Sequence, residues 1–409
     1  MEARQENPLG IVFDRRTFFG SAAASALPLI SAARADESPS AERPKNAKQF
    51  PGVIARRRNP DNLEFPFALL RDFLTPTEQF FVRTHFHVPK LDPKSWRLKI
   101  EGAVRKTLEI DYDDLRRMPS HTVTAVLECS GNGRIFLKPP QNGLRWELGG
   151  VGNAKWTGVR LADLLERAGV AKDAVEVVAE GADKGEFKPP SPPSPGVIPF
   201  ARSLPLTKAR QPEVLLAYKM NGEELTADHG APVRLLVPGW YGMASVKWLQ
   251  RLTVTKRPYH GYFQTFEYSM WDRSQGVPNL VPVRDMQVKS QIARPMLKEV
   301  VMGKSTYEVF GAAWAGKSTV AKVEASCDGG KSWHEAELLS KDKPVPFTWR
   351  RWSYKWRTPE KSGPCILMAR ATDAQGRTQP MDRDEDRRDA VISHVLPIEV
   401  EVKVPNVRE

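Results

Sequence analysis

An α+β fold is predicted for this chain: a mixed α/β domain followed by an all-β sandwich, immunoglobulin-like in its spacing. Three observations carry the prediction. From about Leu63 to Tyr268, apolar runs of strand length are interspersed with two helical segments. From about Gln291 the helical texture stops, and strand-length runs recur between turn signals over roughly 110 residues. The full 409 residues exceed the usual size of one domain. The expected division is 1–35, a targeting segment; 36–62, an extended arm; 63–285, the mixed domain; and 286–409, the sandwich.

Taken in order, strands are expected at 80–83, 96–101, 122–127, 174–179, 214–219, 233–237 and 249–256. Helices are expected at 112–118, behind the capping residue Asp111, and at 161–168, which stops at Gly169. The run Pro189-Pro190-Ser191-Pro192-Pro193-Ser194-Pro195 reads as a stiff loop. In the second half, strands are expected at 306–314, 320–326, 349–356, 366–372 and 395–402, with Asp328-Gly329-Gly330 as a turn. The Cys…Trp…Cys spacing of antibody domains is lacking, so the expectation concerns architecture only.

The N-terminal segment reads as an export address. Asp14-Arg15-Arg16-Thr17-Phe18-Phe19 precedes a mildly apolar, Ala/Ser-rich stretch ending in Ala33-Arg34-Ala35, the pattern of a twin-arginine signal peptide. A periplasmic location follows as the expectation. No run approaches the ~18 consecutive apolar residues of a membrane span, so no stable membrane insertion is expected. Net charge is +12; residues 1–35 hold four basic and three acidic side chains, so the remainder carries +11. A basic protein suits an anionic substrate or an acidic partner. Nucleic acid is disfavoured, because acids are interspersed among the basic residues and no nucleic-acid motif occurs.

Three cysteines, Cys129, Cys327 and Cys365, do not form a disulfide scaffold. Cys327 and Cys365 stand in strand-like segments, as core residues or as a pair. Cys129 ends a predicted core strand and opens Glu128-Cys129-Ser130-Gly131-Asn132-Gly133-Arg134. A thiolate there suits a soft metal, though a free cysteine is as readily a small buried hydrophobe. Phe81-Val82-Arg83-Thr84-His85-Phe86-His87 alternates its polar residues, so Arg83, His85 and His87 would share one face, either of a site or of a solvated edge strand. His229 and Arg234 open a buried strand, and Lys247 sits among large apolar residues, where a snorkelling surface lysine is the alternative. Together His85, His229, Arg234 and Lys247 suit a phosphate-bearing ligand. No C-x-x-C-H motif is found for covalent haem and no paired cysteine–histidine pattern for zinc.

In sequence order, these segments resemble the sulfite oxidase family of molybdenum enzymes. The resemblance rests on Phe-Val-Arg-x-His at 81–85, Glu-Cys-Ser-Gly-Asn-x-Arg at 128–134 and Gly-Asn-Ala-x-Trp-x-Gly-Val-x-Leu at 152–161. It continues in Leu-Ala-Tyr-x-Met-Asn-Gly at 216–222, Asp-His-Gly-x-Pro-Val-Arg at 228–234, Val-Lys-Trp-Leu at 246–249 and Ser-x-Asp-Gly-Gly-x-x-Trp at 326–333. It implies a sulfite-oxidase-type molybdopterin domain and a dimerisation sandwich, hence a homodimer. It implies a Mo-molybdopterin cofactor with Cys129 as the metal ligand and His85, His229, Arg234 and Lys247 holding the pterin. Arg83, Arg134 and Tyr268 match the anion pocket, and Arg388, in preference to Arg387, matches a late arginine from the second domain. The match departs at Glu267-Tyr268 and Phe263, where the family often has Asp-Tyr and an upstream Trp.

The implied activity is a haem-free periplasmic sulfite dehydrogenase that oxidises sulfite to sulfate and passes electrons singly to a separate c-type cytochrome. A sulfane dehydrogenase subunit of a sulfur-oxidising complex resembles the same family. A reductase of S- or N-oxides suits three arginines less well. From a different class, a non-catalytic periplasmic immunoglobulin-like binding protein would hold no molybdenum.

Overall fold

The computed structural model describes residues 52–189, 191–339 and 341–405. The twin-arginine segment and residues 36–51 of the expected arm lie outside the described residues. The described end of that arm is not a free extension. Ile54–Arg57 pairs antiparallel with Asn62–Glu64, and Leu63 bridges in turn to Val82.

Two five-stranded sheets build the mixed domain. One runs Glu223–Glu224, Leu215–Met220, Val151–Arg160, His121–Glu128, with Arg234–Leu236 also on Leu215–Met220. The other runs Leu108–Asp111, Arg97–Gly102, Leu249–Thr255, Glu176–Gly185, Ile198–Pro205. In this second sheet only Leu249–Thr255 and Arg97–Gly102 are parallel. Both helices form as expected. Asp111 caps Tyr112–Arg117 by accepting from Asp114 N at 2.7 Å. Leu161–Ala168 buries Leu161, Leu164, Leu165 and Ala168, the i, i+3, i+4, i+7 stripe, and stops at Gly169 with φ +70°. Those leucines pack with Ile100, Val159, Val177 and Leu252 in a core that both sheets share.

The second half is a sandwich. Lys289–Arg294, Thr306–Trp314, Arg350–Arg357 and Glu337–Leu338 form one sheet; Val300–Met302, Ile398–Lys403, Gly363–Asp373, Val320–Ser326 and His334–Glu335 form the other. Val309, Trp352, Val323, Leu367 and Val400 interleave between them. Cys327 and Cys365 are free thiols.

One sequence expectation needs correction. Residues 80–83 are not a ladder strand: only Val82 bridges, and the chain there runs along a cleft instead of within a sheet. Val151–Arg160, ten residues with glycines at 152 and 158, is a strand that the pattern did not reveal, lying between His121–Glu128 and Leu215–Met220. A Cβ at Gly158 would stand 2.1 Å from the Leu216 carbonyl oxygen, so glycine here answers a close strand approach. Ile198–Pro205 and the hairpin Ser269–Asp272/Asn279–Pro282 are further strands that the pattern did not reveal. Among the described residues no helix is long and apolar enough to cross a membrane.

Candidate active site

The strand His121–Glu128 ends at Cys129, which is 8 % exposed. Cys129 N donates to Gly150 O (2.8 Å), and Asn132 N closes the turn onto Cys129 O (2.9 Å). The Arg134 guanidinium folds back over Gly131, so that a Cβ there would sit 2.4 Å from it and would displace the arginine. Behind the turn, the fully buried Glu128 carboxylate accepts from Lys289 Nζ (2.8 Å), Trp314 Nε1 (2.9 Å) and Asn132 Nδ2 (3.2 Å). The sandwich thus buttresses the cysteine turn.

Cys129 lines a cleft enclosing about 680 Å³ of empty space, counted out to its open mouth. Arg83, Thr84, His85, Asp183, His229, Arg234, Ser245, Lys247 and Tyr268 also line it. Arg83, His85, Cys129, His229, Arg234, Lys247 and Tyr268 are therefore together, as the sequence suggested. His87 is exposed, because consecutive residues 80–85, not alternate ones, face the cleft.

The cleft is strongly cationic. Arg234 is 5 % exposed, donating to His229 O and Ser245 O, both at 3.0 Å, with its guanidinium 5.0 Å from the Trp156 ring centre. Burial lowers it to about 9, which still leaves it charged near neutrality. Lys247 Nζ donates to Asp228 O (2.9 Å) and lies 4.2 Å from the Trp248 ring centre. Burial lowers Lys247 to about 7, aided by the charge on Arg234, and raises Asp183 to about 6; each of this pair opposes the other's shift. His229 Nε2 donates to Thr77 O at 3.0 Å. His85 Nε2 and Tyr268 Oη are 2.6 Å apart. Burial holds His85 neutral, well below its usual range, and keeps Tyr268 protonated by pushing its hydroxyl well up.

Arg134 and Arg388 are absent from the cleft wall. Arg134 Nη1 donates to Leu144 O (2.8 Å) and its Nε to Asp389 O (3.1 Å). Arg388 Nη1 donates to Ser269 Oγ (2.7 Å) and to the carbonyls of Phe266 and Ser269, so it grips the chain on both sides of Tyr268. Arg387 instead meets Met270 Sδ (2.8 Å) and Asp384 (2.9 Å). Burial raises the Glu267 carboxyl, against the charges of Arg83, Arg134 and Arg388.

Two residues escaped the sequence. Asp183 follows Gly181-Ala182, which reads as a surface turn, yet it is 4 % exposed. Arg202 is 1 % exposed and donates to the carbonyls of Phe263 and Val283, bracketing the turn that carries Tyr268. Its strand, Ile198–Pro205, was itself unrecognised.

Two families match the chain: "Oxidoreductase molybdopterin binding domain" over residues 85–263 and "Mo-co oxidoreductase dimerisation domain" over residues 281–388. Sulfite oxidase of Gallus gallus is 34% identical over 371 residues, covering 86% of this chain and 78% of its own length. Mitochondrial sulfite oxidase of Mus musculus is 34% identical over 351 residues, and the match spans 62% of that protein's length. Among solved structures, the sulfane dehydrogenase SoxCD from Paracoccus pantotrophus superposes with a TM-score of 0.72 at 28% identity, covering 83% of this chain and 84% of its own.

The residues present fit a metal held with a pterin phosphate. Arg234 Nε and Asp183 Oδ1 are buried without a partner, while the cleft offers Cys129 as a soft donor. Among the described residues no group of three His, Cys, Asp or Glu gathers as a metal site. A metal on Cys129 would therefore draw its other ligands from a non-protein group.

Proposed function

Because the chain belongs to the sulfite oxidase family of molybdopterin oxidoreductases, we propose that it oxidises sulfite to sulfate and passes the electrons singly to a separate c-type cytochrome. The observation that carries this reading is the convergence of Cys129, Arg83, His85, Arg234 and Lys247 on one cleft. Bound in that cleft through the Cys129 thiolate, Mo-molybdopterin would supply the two-electron redox chemistry. Arg234, His229 and Lys247 would hold the pterin phosphate through charge-assisted and neutral donors.

The chain's own part is geometry, charge and proton placement. Sulfite gains one oxygen from water and loses two electrons, with two protons released. Arg83 binds the dianion's oxygens, since a guanidinium offers a planar fork of N–H donors. Arg134 and Arg388 add positive potential near Tyr268 while their N–H groups hold backbone. Tyr268, kept protonated, presents its hydroxyl to a substrate or product oxygen, and neutral His85 orients it across 2.6 Å. Burial of Tyr268 strengthens its hydrogen bond with His85.

Export through the twin-arginine segment, residence in the periplasm, lack of haem in this chain and a homodimer built on residues 281–388 complete the proposal. The test is molybdenum analysis joined to sulfite-dependent cytochrome c reduction. A second reading, oxidation of protein-bound sulfane sulfur, has support from the SoxCD likeness. Activity on a carrier-bound persulfide with none on free sulfite would favour it.

A further inference from the structure

The first described hairpin carries a charge that the proposed chemistry leaves without a role. Arg56, Arg57 and Arg58 stand in a row at its first strand and turn. The register pairs Ala55 with Leu63 and then skips, so that Arg57 faces Asn62. Such a bulge re-aims the side chains on either side of it. Arg56 pairs with Glu64 and, at 3.0 Å, with Glu147. Arg58 pairs with Asp61 at 3.4 Å. Arg57 has no carboxylate partner among the described residues, and neither does Arg83.

Arg57 stands instead opposite the residue that anchors Arg83 of the cleft wall. Its facing residue, Asn62, is fully buried and accepts from Arg83 Nη1 (3.3 Å) and Thr84 N (2.9 Å). The hairpin that presents Arg57 therefore also anchors Arg83. The two guanidiniums repel: Arg57, though exposed, is lowered by partial burial and then by the charge on Arg83. After burial, every charge acting on His85 is positive, namely Arg83, Lys247 and Arg57. The two cations meet at Asn62, Arg57 by strand register and Arg83 through the asparagine side chain, and neither has an ion-pair partner among the described residues, so together they suit an anion.

We propose that exposed Arg57 and cleft-lining Arg83 together form an outer capture subsite for a small doubly charged oxyanion at the mouth of the cleft. Taken with the reading above, on which its physiological identity rests, the ligand is sulfite entering and sulfate leaving. Arg57 acts on capture and release; it makes no contact with the reacting atoms once substrate lies beneath Arg83.

The experiment compares Arg57→Gln, Arg57→Lys and the neighbouring control Arg58→Gln in the full-length holoenzyme. Arg57→Gln is expected to raise KM for sulfite at low salt by about two- to five-fold, the size of one exposed charge interaction, with kcat unchanged. The difference should fade as salt screens it. Arg57→Lys should recover most of the loss, and Arg58→Gln should match the wild type. In parallel, inorganic sulfate is titrated calorimetrically, with no turnover required, and Arg57→Gln should bind it more weakly by the same factor. Unchanged KM together with unchanged sulfate affinity overturns the subsite. An equal loss in Arg58→Gln also overturns it, since general surface charge would then account for the effect. If the protein oxidises no sulfite, the sulfate titration still decides the subsite, while the proposed reaction fails separately.

Discussion

His229 is 2 % exposed, and its Nε2 donates to a backbone carbonyl. Burial lowers it to about 3; the Thr77 carbonyl opposes that shift, while the charges on Lys247 and Arg234 reinforce it. The folded chain keeps this imidazole neutral while the unfolded chain takes up a proton near pH ~6.5. Stability is therefore present above that pH and is lost progressively as pH falls towards 3. Thermal denaturation of His229→Gln should show a shallower decline between pH ~6.5 and ~4 than the wild type; parallel curves would contradict the assignment. Arg83 carries a different prediction. Arg83→Gln removes a charge-assisted bond worth about 1.5–3 kcal/mol, or roughly 10- to 150-fold in kcat/KM for sulfite, with molybdenum content intact. A change below about twofold would place substrate elsewhere. These residues were legible because an arginine, histidine or lysine beside a core strand is an unusual expense in desolvation. Asp183 was not: Gly181-Ala182-Asp183-Lys184-Gly185 has the composition of a turn, and only the fold shows that it borders Lys247.

Among the elements, the strand Lys289–Arg294 ties the sandwich to the cysteine turn. Lys289 and Glu128 have side chains 1% exposed and are 2.8 Å apart. Lys289→Met would strand the Glu128 carboxylate in the interior at a cost of about 3–5 kcal/mol, readable as a lower urea midpoint. Replacing both partners, as Glu128→Gln with Lys289→Met, should cost less than the single change. A loss below about 1 kcal/mol in the single variant would mean that the carboxylate finds water or a proton. Nothing in the sequence pairs residues 128 and 289, because a link across 161 positions leaves no local periodicity. The helix Leu161–Ala168 was legible to the residue, since its leucine stripe and Gly169 stop are local signals. Val151–Arg160 was not, because its glycines answer a neighbouring strand and not the local backbone. The same holds for 80–85, where a cleft replaces the expected partner strand and abolishes alternation.

For the whole molecule, the net charge of +11 carried outside residues 1–35 favours encounter with an acidic acceptor. Oxidation of pre-reduced enzyme by an acidic c-type cytochrome, followed by stopped flow without sulfite, should slow as salt rises and the Debye length shrinks from ~10 Å at 0.1 M to ~3 Å at 1 M. A flat or rising rate would assign the charge to substrate capture or solubility. The central claim is that Cys129 holds the redox centre of a sulfite-oxidising enzyme. Its most direct measurement is the molybdenum content and sulfite-dependent cytochrome c reduction of wild type and Cys129→Ser, side by side. Serine replaces a soft thiolate by a hard, poorly ionised hydroxyl. The wild type should hold about one molybdenum per chain and turn over sulfite, while the variant, equally folded by circular dichroism, should be nearly inactive. Wild-type turnover in Cys129→Ser, or sulfite oxidation by protein free of molybdenum, would contradict the account.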